Sequence, residues 1–115
     1  MKITIYHNPR CSKSRQTLAL LNENNVEPEI VEYLSAPLDA KLIRGLLERL
    51  GVGIRDIMRS GESVYKELNL GDSGCSEDEL IAAIVENPIL LQRPIVVKDD
   101  RAVVGRPPEN ILELL

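Results

Sequence analysis

The chain has no phenylalanine, no tryptophan and only three tyrosines. Its core must therefore be aliphatic. Histidine occurs once and cysteine twice, at Cys11 and Cys75. The two cysteines form neither a C-x-x-C pair nor a metal-ligand spacing. With a single histidine besides, no zinc or other metal is expected. In a reducing compartment both thiols should be free. No apolar run approaches the ~20 residues needed to span a bilayer, so no membrane association is expected. The first residues read as a strand rather than as a charged-then-apolar leader. Together these absences predict a soluble, cytoplasmic protein. Repeats, low-complexity tracts and linkers are also missing. The 115 residues therefore read as one domain, 1–115, long enough to bury a core without staples. A hydrophobic fraction of 43% argues against disorder.

One further absence is local. Residues 1–22 contain no Asp or Glu but carry Lys2, Arg10, Lys13 and Arg15. The whole chain has 14 basic and 18 acidic residues for a net charge of −4, so this segment is +4 and the remainder −8. An acidic chain is poorly suited to nucleic acid, whose binding is driven by phosphate neutralisation. A small basic patch on an acidic body suits a small anion.

What is present begins with a strand at residues 2–6, a turn at Asn8-Pro9, and a helix from about Ser12 to Asn24. Leu18 and Leu21 mark the helix's buried side, and Asn24-Asn25 stops it. Glu29 to Tyr33 alternates as a second strand, with β-branched Ile30 and Val31, completing a βαβ unit with parallel strands. Ala36-Pro37 breaks the chain. Asp39 can cap a helix with apolar positions Leu42, Ile43, Leu46, Leu47 and Leu50, ended by Gly51. Short helical stretches follow around 55–59 and 64–68. Ser76 and Glu79 form a capping box for a helix through Leu80, Ile81, Ile84 and Val85, and Pro88 follows its end. Ile95-Val96-Val97 and Ala102-Val103-Val104 form a hairpin about Asp99-Asp100. A last helix starts at Pro107-Pro108 and buries Ile111, Leu112 and Leu115. The order is βαβ, a helical insertion at about 38–87, a β-hairpin and a C-terminal helix. That is the order of an α/β, thioredoxin-like fold.

Cys11 is the first candidate for chemistry. A free cysteine is most often buried and inert. This one stands in polar surroundings at a helix start, where unpaired N–H groups favour an anion. Arg10, Lys13, Arg15 and His7 add positive charge nearby, and such settings lower a thiol pKa. Cys75 has acidic neighbours, which oppose thiolate formation. A phosphatase-type loop would need arginine at position 17, which is Thr17. A dithiol site would need a second cysteine at 14, which is Ser14. The chemistry left is that of a single thiol that relies on an outside thiol to complete any redox cycle. Arg59, Arg93 and Arg106 are candidates for oxyanion binding, through paired guanidinium N–H groups. Each also reads as an ordinary surface charge. In a thioredoxin-like fold the loop before Pro94 faces the helix-1 cysteine, which would bring Arg93 close to Cys11.

The segment Tyr6-His7-Asn8-Pro9-Arg10-Cys11-Ser12-Lys13-Ser14-Arg15 resembles the catalytic segment of the glutaredoxin-linked arsenate reductases, the ArsC family. The resemblance continues through 31–34, 65–70, 87–97 and 105–109, nearly the whole chain. It implies reduction of arsenate to arsenite, with Cys11 as nucleophile and His7 as its aid. Arg59, Arg93 and Arg106 match oxyanion-binding arginines, and Pro94 matches the cis-proline of the fold. No bound cofactor is implied; glutathione is the co-substrate, and glutaredoxin reduces the resulting Cys11–glutathione disulfide. The chain resembles a short member that lacks the C-terminal extension of the well-known enzymes. Two other readings stay open: a glutathione-dependent thiol reductase acting on another substrate, and a redox regulator of the Spx type that binds RNA polymerase. Ser14 in place of a second cysteine weakens the last.

Overall fold

The structure, a computed structural model, describes residues 2–36 and 38–115. The chain forms two compact units, Met1–Ala36 with Arg93–Leu115, and Pro37–Gln92. The expected break at Ala36-Pro37 falls partly on Pro37, which lies outside the described residues.

The first unit is built on strands β1 (Ile3–Tyr6), β2 (Glu29–Val31), β3 (Ile95–Lys98) and β4 (Arg101–Val104), ordered β2-β1-β3-β4. Helix α1 (Ser12–Glu23) joins β1 to its parallel neighbour β2, and β3 runs antiparallel to both β1 and β4. This is the thioredoxin-like arrangement. Asn25, at a φ of 61°, turns the chain out of α1, a conformation asparagine tolerates better than most residues. Ile5, Leu21, Val96, Ile111 and Leu114 form the aliphatic core of the unit.

The register places the candidate site residues. Tyr6 pairs with Ile95, and Ile95 pairs with Val104. The end of β1, the start of β3 and the end of β4 therefore share one edge. His7, Arg93-Pro94 and Gly105-Arg106 follow or precede those residues, so three distant segments emerge side by side.

One expectation needs correction and another an addition. The C-terminal segment Pro108–Leu114 is a 3-10 helix, not an α-helix. Its buried residues are Pro108, Ile111 and Leu114, spaced by three, while Leu112 and Leu115 are exposed. A helix with three residues per turn stacks every third side chain, so a face drawn with α-helical spacing picks the wrong leucines. In α1 the buried residues are Ser14, Thr17 and Leu21, with Leu18 only partly covered. The helix's inward face is polar along its first turns, which hides it from a hydrophobic pattern.

The second unit contains α2 (Ala40–Leu50), α3 (Ser63–Glu67) and α4 (Glu77–Glu86), with 3-10 turns at Ile54–Ile57 and Pro88–Leu90. Helix α4 packs on α2 and on both 3-10 turns. Asp39 caps α2 by accepting the Leu42 N–H at 2.7 Å, and Gly51 ends it at a φ of 69°. Ser76 and Glu79 bond each other's backbone N–H at the start of α4, as the capping box requires. The Arg55 guanidinium ties the loop after α3, donating to the carbonyls of Leu70 and Asp72, both at 2.9 Å. No helix among the described residues is long and apolar enough to cross a membrane.

Candidate active site

The site grows from the turn after β1. The Cys11 N–H donates to the Asn8 carbonyl at 3.0 Å, and the Asn8 side chain accepts the Arg10 N–H at 3.0 Å. Pro9 presets the turn between them. Cys11 is the N-cap residue of α1 and has extended backbone angles, φ −91° and ψ 124°. A capping side chain normally meets the N–H groups of the second and third helical residues. Here those residues are Lys13 and Ser14. Cys11 makes no formal cap hydrogen bond, yet both N–H groups lie close enough to favour its anionic form.

Two arginines approach the same sulfur, Arg93 from the segment before β3 and Arg106 from the segment after β4. Arg106 Nη1 lies 3.8 Å from Cys11 Sγ and 3.3 Å from the Arg93 carbonyl oxygen, to which it donates. The Arg93 guanidinium hydrogen-bonds the sulfur and adds its charge. Arg93 precedes Pro94 and Arg106 precedes Pro107, and both of these X-Pro bonds are cis. Burial pushes the Cys11 thiol up. The Ser14 N–H, the Arg93 side chain, the Lys13 N–H and the Arg93 charge together outweigh it, and the pKa falls below the ordinary thiol value.

The cations beside Cys11 in sequence contribute less than their number suggests. Arg10 and Arg15 are exposed, where water and salt screen them. Arg15 turns its guanidinium to the Pro9 carbonyl at 2.9 Å. The charge that acts on the sulfur is brought by β3 and β4.

His7 is buried at the end of β1, and its N–H donates to the Val31 carbonyl at 2.8 Å. Its ring bonds Ser14, with Nδ1 2.6 Å from Oγ, and makes no hydrogen bond to Cys11. Ser14 Oγ also accepts the Asn8 N–H at 3.0 Å. Burial pushes the His7 pKa down; Glu32 opposes this and Arg15 assists it. A neutral imidazole can accept the Ser14 hydroxyl proton at Nδ1, which keeps its own proton on Nε2. Ser14 is thus the buried link between histidine, turn and helix. Sequence reasoning treated it only as a missing cysteine, and Thr17 only as a missing arginine. The signal that could have found both is their spacing with Leu21, which marks one helix face.

Arg59 belongs to the second unit. Its guanidinium pairs with Glu62 at 3.1 Å and donates to Gln92 Oε1 at 2.9 Å. Cys75, also in that unit, is free, with Sγ 3.7 Å from the Asn69 carbonyl oxygen. Among the described residues no three His, Cys, Asp or Glu side chains are grouped to hold a metal ion.

The lowered thiol pKa fixes a pH dependence. Thiolate is the reactive form, so alkylation of Cys11 should persist below the ordinary thiol range and fall only as the pH drops through the lowered pKa. Ultraviolet titration and iodoacetamide kinetics in a Cys75→Ser background would measure this. A titration at the value of a free thiol would refute it.

The ArsC family model matches residues 6–114 of this chain. The chain is 57% identical over 115 residues to the uncharacterised protein YfgD of Escherichia coli K12, covering 99% of this chain and 97% of that one. It is 44% identical to an arsenate reductase of Haemophilus influenzae over 116 residues, covering 100% of both chains. The structure of an arsenate reductase from Vibrio cholerae matches with a TM-score of 0.98 at 49% identity, over 100% of this chain and 98% of that one.

Proposed function

This chain belongs to the ArsC family, and from that premise we propose that it reduces arsenate to arsenite through Cys11, with glutathione and glutaredoxin as outside reductants. The observation that carries the reading is the pair of guanidiniums, Arg93 and Arg106, beside one N-cap thiol. A thiolate so placed is a nucleophile next to donors suited to a tetrahedral oxyanion. The relatives named arsenate reductase support the same substrate.

Arg93 and Arg106 hold arsenate oxygens. The Cys11 thiolate attacks arsenic and displaces one oxygen as water, after protonation. Glutathione then adds to arsenic in the same way. The two sulfurs couple, their electron pair reduces arsenic(V) to arsenic(III), and the released arsenic(III) takes up one water to leave as arsenite. The Cys11–glutathione disulfide that remains is attacked by a glutaredoxin thiolate, which frees Cys11. The two electrons thus come from Cys11 and glutathione. His7 serves from behind the turn, neutral and held by Ser14. Position 14 is serine and not a second cysteine, which favours an outside thiol.

The test is arsenite production from arsenate with glutathione and glutaredoxin, and with each left out in turn. Turnover should need both. Reduction of glutathione mixed disulfides without arsenate turnover would replace this reading with a thiol reductase. Copurification with RNA polymerase and no turnover of either substrate would replace it with a regulator. Cytoplasmic residence is part of the same proposal, since both reductants belong to a reducing compartment.

A further inference from the structure

The reaction sequence makes no use of Thr17 or Gly105, yet both are buried beside the site. Thr17 is fully buried, and its hydroxyl donates to the Lys13 carbonyl at 2.8 Å and faces the Gly105 carbonyl oxygen at 3.3 Å. The Gly105 N–H donates to the Pro94 carbonyl at 2.9 Å. Three segments therefore meet at Gly105: the helix that begins at Cys11, the strand entry that carries Arg93, and the strand exit that carries Arg106.

Gly105 is not a glycine for conformational reasons. Among the described residues the only glycine with positive φ is Gly51. Space is the constraint. A Cβ at Gly105 would lie 2.6 Å from Thr17 Oγ1, 2.9 Å from Pro94 Cγ and 3.0 Å from Thr17 Cγ2. Ordinary contact begins near 3.4 Å, so helix and strand would have to part by about 0.8 Å. Arg93 and Arg106 are the immediate chain neighbours of Pro94 and Gly105, so such a shift passes directly to their guanidiniums.

We propose that the close contact of Gly105 with Thr17 and Pro94 sets the spacing between the Cys11 sulfur and the guanidiniums of Arg93 and Arg106. Gly105 and Thr17 are then positioning residues for the oxyanion site. Their effect on arsenate rests on the function proposed above, but their effect on the thiol does not.

The experiment compares Gly105→Ala, Thr17→Ala and the double variant, all in a Cys75→Ser background. Gly105→Ala should raise the Cys11 pKa and slow its alkylation near neutral pH by about tenfold, as a sub-ångström misplacement of a charged donor does. Its KM for arsenate should rise more than its kcat falls. The double variant removes Thr17 Oγ1 and Cγ2, two of the three nearest atoms, and leaves Pro94 Cγ. It should regain most of the lost thiol reactivity, a non-additivity that a general loss of stability would not produce. A folded Gly105→Ala protein with wild-type thiol titration and alkylation overturns the proposal, as does a double variant no better than the single one. If Gly105→Ala does not fold, Thr17→Ala decides: it opens the contact, and an unchanged thiol titration overturns the proposal. A wild-type protein that does not turn over arsenate would sink the functional reading and leave the thiol measurements to judge this one.

Discussion

Replacing Cys11 with serine should lower arsenate turnover by about 10⁴-fold or more, to the background of the assay mixture. The size of the effect has two causes. A serine hydroxyl does not ionise near neutral pH, so the nucleophile is lost. Serine oxygen also cannot enter a disulfide, so half of the electron pair that reduces arsenic has no source. The fold should survive, because Cys11 caps α1 without a formal cap hydrogen bond and is only partly buried. Arsenite formation with saturating glutathione and glutaredoxin, alongside a far-ultraviolet circular dichroism spectrum, would measure this. Retention of even a tenth of the wild-type rate would remove Cys11 from the centre of the mechanism.

The second large effect is expected at Arg93. It acts on Cys11 twice, through a hydrogen bond and through its charge. Arg93→Ala removes both and takes one donor from the oxyanion. We expect kcat/KM for arsenate to fall by about 10²–10³-fold, the usual cost of one such donor, and the Cys11 pKa to rise. Arg93→Lys keeps a charge but not the planar fork. It should return part of the thiol shift and less of the arsenate affinity. Measuring both quantities in both variants separates the two roles. Wild-type kinetics in Arg93→Lys would count against paired hydrogen bonding, and an unmoved thiol titration in Arg93→Ala would count against the electrostatic role.

The elements of this chain were legible because their signals are short-ranged. Asp39 meets Leu42, Ser76 meets Glu79, and Gly51 ends a helix by its own backbone conformation. Each lies within one helical turn of its partner, so sequence spacing alone identifies it. The last helix was misread because its apolar residues fit two periods, and packing chose the tighter one.

Cys11 was legible for the same reason. A turn, a helix start and a thiol in sequence specify an N-cap sulfur facing the Lys13 and Ser14 amides. What the sequence determined by itself is the place of that thiol, the serine rather than cysteine at position 14, and the order of elements around it. The expected fold already pointed to Arg93; tertiary structure added Arg106 and set Arg10 and Arg15 apart. Arg10 and Arg15, near it in sequence, remain exposed, while Arg106 reaches it from 95 positions away. The pairing of β1 with the distant β3–β4 hairpin creates that proximity, and no spacing local to Cys11 reports it. Ser14 and Thr17 belong to the same class. Each reads as an ordinary helix residue until a buried partner, the His7 ring for one and the Gly105 carbonyl for the other, gives its hydroxyl a purpose.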